Sequence, residues 1–186
     1  RMEYGREILD KYHDKKINSF NKIVAVERNI RNVMVDGIPL KGKIDKMEFD
    51  GHKVNVVDYK TGNPDNAKAK LKNPESDPPY GGDYWRQAVF YKLLIDNNDQ
   101  GKYQVMSTEF DFVEPNAKKE ISSILVPISK DDTDAVREQI QMVWEKIQAR
   151  DFYTGCGKQD CHWCNFVKTN KLQVGFVEEE QEVLFD

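Results

Sequence analysis

The chain has 186 residues, room for one ordinary α/β domain with a packed core. Its 32% charged and 39% hydrophobic residues make it more polar than an average globular domain, but 9 Phe, 8 Tyr and 3 Trp exclude disorder over most of its length. No run approaches about 18 apolar residues, and Arg1 to Gly5 lacks an apolar leader, so the expectation is a cytoplasmic protein with no membrane contact. The formal net charge of −4 is largely a tail effect. Glu178, Glu179, Glu180, Glu182 and Asp186 crowd the last nine residues without a cation, leaving the rest at +1. The acidity therefore does not argue against nucleic-acid binding, and Lys41 to Lys72 is locally basic.

Along the chain, residues 2–16 carry Ile8, Leu9 and Tyr12 on a helical stripe that breaks at Asn18 and Ser19. From Lys22 the pattern turns strand-like and runs to Val35. The Asp36-Gly37 pair favours a hairpin, Ile38 to Phe49 reads as the return strand, and Asp50-Gly51 starts a third strand that ends at Asp58, Tyr59 and Lys60. Gly62, Pro64, Pro74, Pro78, Pro79, Gly81 and Gly82 forbid regular structure over most of residues 61–82. A helix is expected from Asp83 to Ile95, strands at 102–114 and 119–127, and a last helix from Asp131 or Asp132 through Ile147. This order of helix, three strands, helix, two strands and helix predicts an α/β mixed sheet covered by helices.

The chemistry concentrates around Asp45 and Asp58. They are 13 residues apart on consecutive strands, so antiparallel pairing brings both carboxylates to the same end of the sheet. Two such groups make an oxygen site for a hard cation such as Mg²⁺ or Mn²⁺. Lys60 follows Asp58 by two residues and shares its face. An ammonium there can orient water and stabilise charge growing on a phosphate, as metal-assisted phosphodiester hydrolysis needs.

Gly42-Lys43-Ile44-Asp45, then Val56-Val57-Asp58-Tyr59-Lys60-Thr61-Gly62, then Gln87-Ala88-Val89-Phe90-Tyr91 together resemble the RecB-type nucleases of the PD-(D/E)xK superfamily. These form the C-terminal domain of UvrD-type helicase-nucleases. The resemblance covers roughly residues 20–165 and implies a restriction-endonuclease-like mixed sheet. It further implies Asp45, Asp58 and the Tyr59 backbone carbonyl as metal ligands and Lys60 as the catalytic lysine. Gln87 and Tyr91 would lie beside the active site and the DNA. Glu27 matches a recurrent acidic position. The function implied is Mg²⁺- or Mn²⁺-dependent exonuclease or endonuclease action in DNA end processing and repair, coupled to a helicase motor in the same chain or a partner subunit. The alternative is an inactive nuclease-like platform that binds DNA or a partner. The family's N-terminal metal-binding histidine has no counterpart, since His13 follows Gly5 by eight residues. The chain thus reads as a C-terminal piece of a longer protein, with a nuclease domain over 1–166 and an acidic tail over 167–186.

Cys156, Cys161 and Cys164 lie in a Cys-x4-Cys-x2-Cys pattern. Thiolates at this spacing can hold an iron-sulfur cluster with a fourth ligand from elsewhere, as several members of the resembled family do, or zinc with His162. A degenerate clasp of reduced thiols is the third reading.

Overall fold

The computed structural model describes residues 2–20, 23–74, 80–151 and 159–169. Its helices are α1 (Met2–Lys16), α2 (Ala67–Lys70), α3 (Asp83–Asp96), α4 (Lys130–Gln148) and α5 (His162–Thr169). Its strands are β1 (Val24–Val35), β2 (Ile38–Asp50), β3 (Lys53–Lys60), β4 (Gln104–Phe112) and β5 (Ser123–Val126). The chain divides into two compact units, Arg1–Met142 and Val143–Asp186.

The first unit is built on a five-stranded mixed sheet of order β1-β2-β3-β4-β5. β1, β2 and β3 form the expected antiparallel meander. The first turn consists of Asp36 and Gly37, both with positive φ (50° and 80°), the backbone that matches the right-handed twist of flanking strands. The second turn consists of Gly51 and His52, because Asp50 pairs with Lys53; it falls one residue beyond the position read from Asp50-Gly51. β4 then pairs parallel to β3, which requires a crossover, and the 61–82 connection with α3 supplies it.

α3 packs on one sheet face. Leu94, Ile95 and Tyr91 meet Val54, Val56, Ile44 and Val105, while Ala88 meets Phe110 and Phe112. Trp85, Val89 and Leu93 turn toward Val136 of α4. The side chains of Lys46, Glu48, Asn55, Glu109 and Asp111 form a polar layer instead. Lys46 pairs with Glu48 at 2.9 Å, Asn55 donates to Glu48 at 3.0 Å, and Lys16 of α1 pairs with Asp111 at 2.8 Å. Tyr12 of α1 also donates to Asp111, and burial followed by that bond pushes its phenol well above the usual range.

Residues 61–82 are more ordered than their breakers imply. The Asn63 side chain accepts the Asp65 N–H at 2.8 Å, and Pro64 opens a 3-10 turn, Pro64–Asn66, that continues into α2. The α2 end packs tightly on the start of α3: a Cβ at Gly82 would stand 2.2 Å from the Lys70 carbonyl oxygen. β5 is shorter than expected because the Asn116 side chain accepts the Lys118 and Glu120 N–H groups and closes a local turn.

The second unit contains the end of α4 and α5. α5 was not anticipated, and it runs across the 166/167 boundary drawn from the sequence. Among the described residues no helix is long and apolar enough to cross a membrane.

Candidate active site

Asp58 sits near the end of β3 and is 3% exposed. A carboxylate so deeply buried is costly unless its lone pairs are used. Its Oδ1 accepts from the Tyr91 hydroxyl at 2.6 Å and from Gln87 Nε2 at 3.0 Å, and Gln87 Nε2 also donates to the Tyr91 oxygen at 2.6 Å. Gln87 and Tyr91 are one helical turn apart on α3, so both reach the same atom. Burial, then the bond to Asp58, hold the Tyr91 phenol well above its ordinary range, so it remains a donor at working pH.

Lys60 lies two residues further along the strand with its Nζ 2.7 Å from Asp58 Oδ2. It donates to Gln87 Oε1 at 2.9 Å. Its ammonium also faces the rings of Tyr84, 4.7 Å from the centroid, and Phe110, at 5.2 Å. Lys70 Nζ faces the same Tyr84 ring at 4.8 Å. These contacts spread the lysine's charge over a carboxylate, an amide oxygen and two π faces.

Asp45 is positioned by the β2–β3 ladder. The printed register ends at Lys46↔Val57, and one step further sets Asp45 beside Asp58. Asp45 Oδ2 accepts the Tyr59 N–H at 3.1 Å. Across β1, the pairs Val26↔Lys46 and Arg28↔Ile44 set Glu27 level with Asp45. Glu27 adopts a positive φ of 52°, and its exposed side chain pairs with Lys43.

The residues fit a hard cation. Asp58 Oδ2 is buried and has no hydrogen bond; its ion-pair contact with Lys60 lacks hydrogen-bond alignment, so the oxygen keeps acceptor capacity. Asp45 keeps one oxygen without a hydrogen bond among the described residues. With the Tyr59 carbonyl these are oxygen donors of the kind Mg²⁺ and Mn²⁺ take. Among the described residues no three His, Cys, Asp or Glu side chains converge on a metal-sized site, so a cation here would draw on the backbone carbonyl and water.

Sequence reasoning missed Tyr84, Phe110 and Lys70. Tyr84 stands three residues before Gln87 on α3, a spacing that shares its face, whereas Phe110 comes from a strand 50 residues beyond Lys60 and no local signal announces it. His13 is exposed on α1, its Nδ1 3.4 Å from the Asp14 carboxylate. Of the cysteine cluster, Cys156 lies outside the described residues. Cys161 and Cys164 are half-buried, one just before α5 and one within it, and Asn165 donates its N–H to the Cys161 carbonyl at 2.9 Å. Residues 170–186, most of the acidic tail, also lie outside the described residues.

No curated protein matches the chain. Among solved structures, it is similar to a candidate exonuclease from Eubacterium rectale, with 12% identity and a TM-score of 0.52, over 92% of this chain and 65% of that one. It is also similar to SSO0001, with 16% identity and a TM-score of 0.43, over 76% of this chain and 59% of that one. The chain thus spans less than two thirds of either structure's length. The first likeness carries the same fold, a five-stranded mixed sheet with flanking helices of the restriction-endonuclease-like type. The family model described as the PD-(D/E)XK nuclease superfamily matches residues 2–169, nearly the whole chain with the aspartates, lysine and α3 motif inside it, and the chain belongs to that superfamily.

Proposed function

We propose that the chain is a RecB-type, divalent-cation-dependent deoxyribonuclease domain that hydrolyses phosphodiester bonds in DNA end processing and repair, working with a helicase motor. The observation that carries this reading is the buried Asp58, tied to Gln87 and Tyr91 on one oxygen and facing Lys60 with the other. Asp45, Asp58 and the Tyr59 carbonyl would hold Mg²⁺ or Mn²⁺, which when bound polarises the scissile phosphate and lowers the pKa of water. Tyr91 and Gln87 fix the Asp58 carboxylate so that only Oδ2 is left to face the reaction centre. Lys60, steadied by Gln87 and by two aromatic faces, orients the attacking water and stabilises charge developing on the phosphate. Lysines of the 61–72 segment would contact the DNA backbone, giving binding that weakens with salt and reads little sequence. The nuclease domain would span 1–166 in a cytoplasmic helicase-nuclease, with 167–186 as an acidic tail.

The test is cleavage of end-labelled linear DNA with Mg²⁺ or Mn²⁺. Asp58→Ala and Lys60→Ala should each abolish it while far-UV circular dichroism stays native, and retained metal-dependent cleavage in either would sink the assignment. An inactive DNA- or partner-binding platform is favoured by one observation, the lack of a third converging acid or histidine among the described residues. Titrating Mn²⁺ by calorimetry separates the two: binding abolished by Asp45→Asn supports a working site, and no binding at millimolar metal supports the platform. An iron-sulfur cluster or zinc on Cys156, Cys161 and Cys164 would be settled by visible absorbance and metal analysis of the purified chain.

A further inference from the structure

The sheet carries a second concave feature, away from the aspartates, that the hydrolytic reading does not use. Between Ile30 and Val33 the β1–β2 register shifts by one: Ile30 pairs with Gly42 and Val33 with Leu40, so Arg31 and Asn32 together oppose Lys41. This is a β-bulge, and a bulge bends its strand and re-aims side chains. Asn32 takes a left-handed φ of 58°, a conformation its short amide side chain tolerates. The result is an open pocket of about 660 Å³ lined from both strands. That volume lies within the roughly 300–1,000 Å³ of clefts that hold organic ligands.

The lining is electrostatically one-sided. Arg31, Lys41 and Lys43 bring three cations, Asn29 and Asn32 bring amides, and no acidic residue lines the pocket. Lys43 is partly neutralised by Glu27, but Arg31 and Lys41 are exposed and form no ion pair among the described residues. Two uncompensated cations facing one concavity repel each other, and an anion between them relieves that cost. The amides add hydrogen-bond donors suited to phosphate oxygens and sugar edges.

The pocket also continues toward the candidate active site. Lys41 and Lys43 lie on the same strand as Asp45, four and two residues before it. Lys43 is held above its ordinary pKa first by Glu27 and, more weakly, by Asp45, so its ammonium lies within the field of that carboxylate. A chain of phosphates leaving the aspartates would meet Lys43 and then the Arg31/Lys41 pair.

We propose that the β1–β2 bulge pocket is a binding site for the sugar-phosphate backbone of a nucleic-acid strand, contacted by Arg31 and Lys41 with Asn29 and Asn32, next to the scissile position. The identity of the ligand rests on the nuclease reading, but binding can be measured without cleavage. The probe is a fluorescein-labelled oligothymidylate, followed by anisotropy with the full chain in EDTA across a salt series. The double variant Arg31→Ala/Lys41→Ala should bind about tenfold more weakly and lower the slope of log Kd against log salt by about two, one for each lost phosphate contact. Lys53→Ala/Lys102→Ala removes two exposed cations elsewhere and should bind like the parent; Arg31→Lys/Lys41→Arg should retain most of the affinity. Equal thermal midpoints of the variants would exclude unfolding as the cause.

An unchanged Kd and slope in Arg31→Ala/Lys41→Ala would overturn the pocket assignment, and so would an equal loss in Lys53→Ala/Lys102→Ala. No binding by the parent chain in EDTA would overturn it as well. Failure of the nuclease reading has a different signature: the oligothymidylate binds through Arg31 and Lys41, yet linear DNA stays intact when Mg²⁺ or Mn²⁺ is added.

Discussion

Lys60 must be close enough to Asp58 to share its chemistry, yet free to act on a phosphate. Of its four contacts, the two aromatic faces are the ones that neither donate nor accept a proton. A partly desolvated cation–π contact is worth about 0.5–2 kcal/mol. Tyr84→Leu keeps apolar bulk against Phe110 but removes the ring quadrupole, so Lys60 should wander and the cleavage rate fall by about tenfold, with KM little changed. Steady-state kinetics on linear DNA check this, and an unaltered kcat would show that the ring packs without positioning. Tyr91 is the complementary case. Its hydroxyl bonds a buried charged acceptor, an interaction worth about 1.5–3 kcal/mol, so Tyr91→Phe should lower denaturant stability by about that amount. Because Gln87 still holds Oδ1, Tyr91→Phe should slow cleavage far less than Asp58→Ala.

Helix ends and close approaches decide how the elements that carry these residues are held. At the start of α4 the Asp132 N–H donates to Ser129 Oγ at 3.1 Å, and Asp132 Oδ2 accepts the Ser129 N–H at 2.8 Å, a reciprocal capping arrangement. Asp132 Oδ1 also accepts from Trp85 Nε1 at 2.8 Å, which ties α4 to the first turn of α3. Asp132→Ala should therefore cost about 1–2 kcal/mol. Burial alone would raise the Asp132 carboxyl, but the Ser129 and Trp85 bonds outweigh it and hold it below its ordinary value of 3.8. A depressed acid stabilises the fold above its unfolded pKa and loses that contribution as pH falls through the folded one. The stability gap between parent and variant, read from urea melts, should thus be full at neutral pH and narrow below about pH 4. At Gly82 the constraint is steric: an added methyl would strike the Lys70 backbone, so α2 and its lysines would have to move off α3.

These particulars also explain what was legible. Asp58 and Lys60 could be read because strand alternation is local, and Gln87 and Tyr91 because a helical turn is local; their joint convergence follows from one parallel crossover. The Tyr12–Asp111 contact spans 99 positions and depends on how α1 crosses the sheet, which no periodicity encodes. Asn63-Pro64 was read as a breaker although the same pair starts a turn of helix, and the helical character of residues 162–169 was hidden behind cysteine spacing.

For the whole molecule, the candidate centre exists only when β2, β3 and α3 are assembled, since its donors come from positions 45 to 91 of the chain. An unfolded chain offers the same carboxylates without convergence and so binds a hard cation weakly. A ligand selective for the folded state stabilises it by RT ln(1 + [L]/Kd), about 2.7 kcal/mol at a hundredfold excess over Kd. For a chain of this length each kcal/mol moves the thermal midpoint by about 2–4 °C, so saturating Mn²⁺ should raise it by about 5–10 °C. Asp45→Asn should abolish most of that rise by removing an oxygen ligand. Lys60→Gln should preserve or enlarge it, because it takes away the ammonium now facing Asp58 Oδ2 while leaving both carboxylates in place. Differential scanning fluorimetry with and without Mn²⁺ distinguishes these outcomes. A rise of the same size in Asp45→Asn as in the parent would place the cation elsewhere on the molecule.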